Sequence, residues 1–195
     1  MKSTYTNLDE LNLELARDMG ELADYPYDWV MYAYPWGRGE LKDYDGPDDW
    51  QKGFLIEWGE EIRARGFDGF NPVEPIRFST ASGHGIGKSA FPAWIVDLIM
   101  STRPHCKGIV TANTSPQLET KTWAEIAKWT KRCITAHWFR VTSGRGAMKM
   151  VHRDHPETWR VDGMAWRANQ PEAFAGLHAA TSTPFYLFDE ASGVP

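Results

Sequence analysis

Two short segments of this chain carry residue types that together can do phosphate chemistry. Ser82-Gly83-His84-Gly85-Ile86-Gly87-Lys88-Ser89 reads as a phosphate-binding loop, close to the pattern G-x-x-x-x-G-K-[ST]. In such a loop the glycines let successive backbone N–H groups wrap a polyphosphate. Lys88 then neutralises the β- and γ-phosphates, and the Ser89 hydroxyl holds Mg²⁺. Further along, Phe185-Tyr186-Leu187-Phe188-Asp189-Glu190 reads as a buried apolar strand that delivers Asp189 to the metal and Glu190 to an attacking water. Together the two segments predict NTP hydrolysis. Ser82 stands where the pattern has its first glycine, and Gly83 and Gly85 restore part of the freedom to adopt positive φ.

The neighbouring sequence supplies the elements such a loop needs. Residues 76–81 are strand-like and residues 89–100 have helical apolar spacing, so the order is strand, glycine loop, helix. Pro92 is acceptable in a first helical turn, where its missing N–H has no intrahelical partner. Beyond it, residues 107–114 read as a second strand, 116–136 as a helix and 138–142 as a third strand. Residues 145–168 read as an irregular excursion, with a strand pair at 158–160 and 164–167 joined by Val161-Asp162-Gly163. A short helix or turn over 171–178 precedes the Asp-Glu strand. Alternating strands and helices predict an α/β nucleotide-binding core over residues 76–195.

Residues 1–75 read as a helical, aromatic-rich N-terminal segment. Leu8, Leu11, Leu13, Leu15, Met19 and Leu22 lie among acids in an amphipathic helix, and residues 26–49 are loop-like. Asp48 or Asp49 caps a helix from Trp50 to about Arg65, and residues 66–75 form a linker punctuated by Gly and Pro.

The 195 residues are ample for a real core, and no apolar run approaches the roughly 18–20 residues of a membrane span. The acid-rich N-terminus is not a signal peptide. Cys106 and Cys133 lack metal-ligand spacing, which points to free thiols in a reducing compartment, the cytoplasm. The net charge of −5 is unevenly spread, with acids concentrated before residue 75 and Lys and Arg over 103–167. A basic middle can face a polyanion or simply be solvated helix faces. The 10 tryptophans read as core and packing residues.

Other constellations are weaker. His152 and His155 lie three apart in a loop-like segment with no third ligand indicated, so a metal site there is disfavoured. His178 reads as a packing residue. Residues 144–149, with Arg145 and Lys149, form a basic loop that can touch DNA phosphates or remain solvated.

The ordered set of motifs resembles the ATPase portion of a large terminase subunit, the motor that packages DNA into tailed-phage heads. The resemblance rests on Tyr34-Pro35-Trp36-Gly37, Gly46-Pro47-Asp48-Asp49-Trp50-Gln51, the glycine loop, Thr111-Ala112-Asn113-Thr114 with Gln117-Leu118, Gly176-Leu177-His178-Ala179 and Leu187-Phe188-Asp189-Glu190-Ala191. It covers nearly the whole chain. It implies a P-loop NTPase core of the additional-strand type, with a parallel-rich central sheet flanked by helices, ending just after the Asp-Glu strand and without the nuclease domain. It implies that Gln51 reads the adenine edge, that residues 82–89 bind ATP, and that Ser89 and Asp189 hold Mg²⁺ while Glu190 activates water. Lys88, Asp189 and Glu190 are then the catalytic set. The cation that approaches the γ-phosphate is left open among His84, Arg77 and an arginine from a neighbouring subunit. Implied partners are double-stranded DNA, a small terminase subunit, the capsid portal and further copies in a ring, with no membrane. Alternative readings are a non-catalytic remnant that binds nucleotide or partners, and a helicase-like translocase.

Overall fold

The computed structural model describes residues 4–80, 89–144, 147–166 and 182–189. The chain begins with α1 (Thr4–Glu21), α2 (Pro26–Ala33), a 3-10 turn (Gly39–Leu41) and α3 (Asp49–Ala64). Next come α4 (Phe91–Thr102), β1 (Lys107–Ala112), the single turn α5 (Ser115–Gln117), a π-helix (Leu118–Trp123) and α6 (Ala124–Thr130). A second 3-10 turn (Ala136–Trp138) leads to β2 (Phe139–Thr142), β3 (Lys149–His152), β4 (Arg160–Gly163) and β5 (Pro184–Asp189).

The strands form one mixed sheet in the order β2-β3-β4-β1-β5. β1 lies parallel to both β4 and β5, while β3 is antiparallel to β2 and β4. The α/β expectation therefore holds, but the sheet is mixed rather than parallel-rich, because a β2–β3 antiparallel extension is added beyond β4. Register and the two-residue alternation of strands put Val110, Ala112, Met150, Val161, Phe185 and Leu187 on one face. These residues join Val96 and Trp94 of α4, Ile126 and Trp129 of α6, and Met19, Trp29 and Leu55 of the N-terminal helices in one hydrophobic cluster. Gly108 is required there: a Cβ on it would stand 2.2 Å from the Phe185 ring.

Several expectations need correction. Residues 75–80 carry no strand and join no ladder among the described residues; Phe78 instead packs on Phe54 of α3, ring centres 5.0 Å apart. Residues 26–33 are helical, not loop, because Pro26 sits in a first turn and Trp29 and Val30 are wholly buried. The helix expected over 116–136 is broken into α5, the π-helix and α6, and ends at Thr130. Val161-Asp162-Gly163 is not a turn but the body of β4. Gly163 is there for close packing, since a Cβ would meet Met148 at 2.8 Å and Trp123 at 2.9 Å. Past Gly163 the chain stays beside β1, with Met164 N–H donating to Val110 O and Trp166 N–H to Ala112 O. β5 is only half-buried, with Tyr186 and Phe188 exposed on the face opposite Phe185 and Leu187. The short helix expected over 171–178 lies outside the described residues.

Candidate functional site

The C-terminal ends of β1 and β5 finish together, with Ala112 opposite Asp189. Residues 103–106 turn the chain from α4 into β1, and Cys106 Sγ lies 3.6 Å from the Ile99 carbonyl oxygen. Ser89 is exposed in the turn that enters α4. Phe91, the first residue of α4, packs against Trp50 and Phe54 of α3 with ring centres 5.2 and 4.8 Å away. The first turn of α3, which contains Gln51, is therefore beside the start of α4. Of the expected site residues, Gln51, Ser89 and Asp189 are described; Ser82, Gly83, His84, Gly85, Ile86, Gly87, Lys88 and Glu190 lie outside the described residues.

Asp189 is half-buried, and its Oδ2 accepts a short hydrogen bond from the Thr122 hydroxyl. Its other oxygen has no hydrogen-bond partner among the described residues. Nearby in sequence along β1, Thr111 Oγ1 and Asn113 Oδ1 are buried without a partner. Carboxylate, hydroxyl and amide oxygens are the donors a hard divalent cation takes, so Asp189 and Ser89 fit Mg²⁺ chemically. Among the described residues no group of three or more His, Cys, Asp or Glu is arranged to hold a metal by itself.

Gln51 is buried, at 3% exposure, and serves the helix start. Its Oε1 accepts from the Asp48 N–H at 2.8 Å while the Asp48 carboxylate accepts from the Gln51 N–H, a reciprocal capping box. The capping role of Asp48 was legible in the sequence; the share of Gln51 in it was not.

Behind this edge lies a buried acid that the sequence reading passed over. Asp97 of α4 is 1% exposed, receiving the Tyr34 hydroxyl at 2.8 Å and the Thr130 hydroxyl at 2.6 Å. Burial pushes its carboxyl up to about 7, against the partial opposition of those two donors. Thr130 also reaches Ile126 O at 2.8 Å, so its single proton has two claimants. A protonated carboxyl resolves this by donating to Thr130. The signal was available: Asp97 is the one acid in an otherwise apolar helix face.

The histidine segment gains a neighbour from elsewhere in the chain. His105, in a left-handed conformation (φ 59°), has its ring 4.9 Å from His155. His152 stacks on Trp159 at 4.2 Å, and partial burial lowers its pKa. The basic loop at 144–149 is described only in part; Ala147 N–H donates to Gly144 O at 2.9 Å. Arg77 is exposed.

Comparison with protein families, with curated proteins and with solved structures found no match to this chain. Among the described residues no helix is long and apolar enough to cross a membrane.

Proposed function

We propose that this chain is a P-loop ATPase, and that it is the motor portion of a DNA-packaging terminase large subunit, hydrolysing ATP with Mg²⁺ to move double-stranded DNA. The observation that carries the reading is the position of Asp189. It ends a strand parallel to β1, opposite Ala112. Open α/β sheets bind ligands at the carboxyl ends of their strands, which supports Asp189 as an acid on the ligand side of the sheet. In this reading residues 82–89 wrap the phosphates, Lys88 offsets their charge, and Glu190 orients water. Mg²⁺, when bound, neutralises charge developing on the β- and γ-oxygens. Gln51, beside the start of α4, faces the base through the amide group it shares with the helix cap. The terminase assignment rests on the motif order and extends the partners to a small subunit, a portal and further copies of the chain.

The test is Mg²⁺-dependent ATP hydrolysis with and without double-stranded DNA, beside Lys88→Ala. Turnover stimulated by DNA and abolished by Lys88→Ala is the expected result. Turnover indifferent to Lys88→Ala would refute the loop assignment.

A further inference from the structure

The π-helix after β1 carries a hydroxyl that bonds outside its own helix. Thr120 donates back to the carbonyl four residues earlier, Pro116 O at 2.7 Å, whereas Thr130 lies between Ile126 O at 2.8 Å and the Asp97 carboxyl at 2.6 Å. That local bond is the ordinary use of a helical threonine. Thr122, 4% exposed, instead donates across to Asp189 Oδ2 on β5. Trp123 reaches one way, its indole N–H donating to Thr142 O of β2 at 2.8 Å, and Thr122 the other way, to β5.

We propose that Thr122 is a positioning residue for Asp189: its hydroxyl holds Oδ2 and leaves Oδ1 turned out to receive the divalent cation of the nucleotide. This rests on the ATPase reading above and names a residue that reading does not require. The hydroxyl donor removes one of the rotations by which a half-exposed carboxylate escapes its ligand. A carboxylate without that donor would still be present but would be free to turn. The unpartnered Asn113 Oδ1, at the residue after β1, adds a second oxygen near that edge without a protein partner.

The experiment is an Mg²⁺ titration of fluorescent ATP-analogue binding by the full chain, comparing wild type, Thr122→Val and Thr122→Ser. Loss of an outer-shell partner typically costs about 10–100-fold in metal affinity, so Thr122→Val should raise half-saturating Mg²⁺ by about that factor. Binding in EDTA should be unchanged, and Thr122→Ser should restore the wild-type titration. Thr122→Ala, which adds no bulk, must reproduce the shift if Thr122→Val proves unstable. Wild-type and hydroxyl-free variants with the same Mg²⁺ dependence would overturn the role of Thr122 alone. A wild-type chain with no Mg²⁺-dependent nucleotide binding would overturn the ATPase reading and this inference with it.

Discussion

Asp97→Asn should remove a loss of stability that wild type suffers as pH rises. In the folded protein the carboxyl is pushed from 3.8 up to about 7 by burial among Tyr34, Trp94 and Trp129, near the buried thiol of Cys133. Between those two values the folded state holds a proton that the unfolded chain has released, so stability falls as pH rises. The penalty begins near pH 4, grows until about pH 7 and is constant above. A separation of about 3 pH units at 1.36 kcal/mol each is worth ~4 kcal/mol, an upper figure because a buried site relaxes when it charges. Asparagine reproduces the neutral acid. Its oxygen accepts from Tyr34, and its amide N–H donates to Thr130, whose own proton then goes to Ile126 O. Urea unfolding at pH 5 and pH 8 reads the effect. Wild type should lose about 2–3 kcal/mol more than Asp97→Asn between the two, because about two of those pH units lie in that window, so that the variant gains on wild type at the higher pH. Every other titrating group contributes equally to both proteins and drops out of the difference. Parallel pH–stability curves would refute the reasoning, because they would mean that Asp97 titrates as an ordinary exposed carboxylate.

Two further outcomes follow from the packing. Gly108→Ala should destabilise the chain by about 1–3 kcal/mol in denaturant unfolding, since the new methyl displaces the Phe185 ring from β1. Gln51→Ala should cost about 1 kcal/mol through the broken capping box. It should also reduce the preference for ATP over GTP in competition binding; a loss of stability with unchanged base preference would leave Gln51 as a cap alone.

The parts of the fold that sequence periodicity made legible are those where one cause decides. β1 and β5 are short apolar runs bounded by turn residues, and Asp48 before Trp50 is an ordinary helix start; all three formed where expected. The misreadings share a different origin. Gly163 and Pro26 punctuate the sequence, yet one is a glycine because Trp123 needs its space and the other begins a helix because proline suits a first turn. For Gly163 a distant partner decides the outcome, and for Pro26 its place in the first helical turn does. Residues 76–80 alternate like a strand, but the apolar side of that alternation was taken by Phe54 rather than by a sheet. At the candidate site Asp189 was legible as an acid at a strand end. Thr122 was not, because a threonine in a helix has a local partner available and nothing in the local sequence points it to Asp189.

The claim that the glycine loop and Asp189 serve one nucleotide is tested most directly by calorimetric binding of a non-hydrolysable ATP analogue. Wild type, Lys88→Ala and Asp189→Asn should be compared with Mg²⁺ and with EDTA. The account predicts that Lys88→Ala loses binding in both conditions, while Asp189→Asn loses only the increment that Mg²⁺ adds. Equal, Mg²⁺-independent binding by all three proteins, or none by wild type, would contradict it.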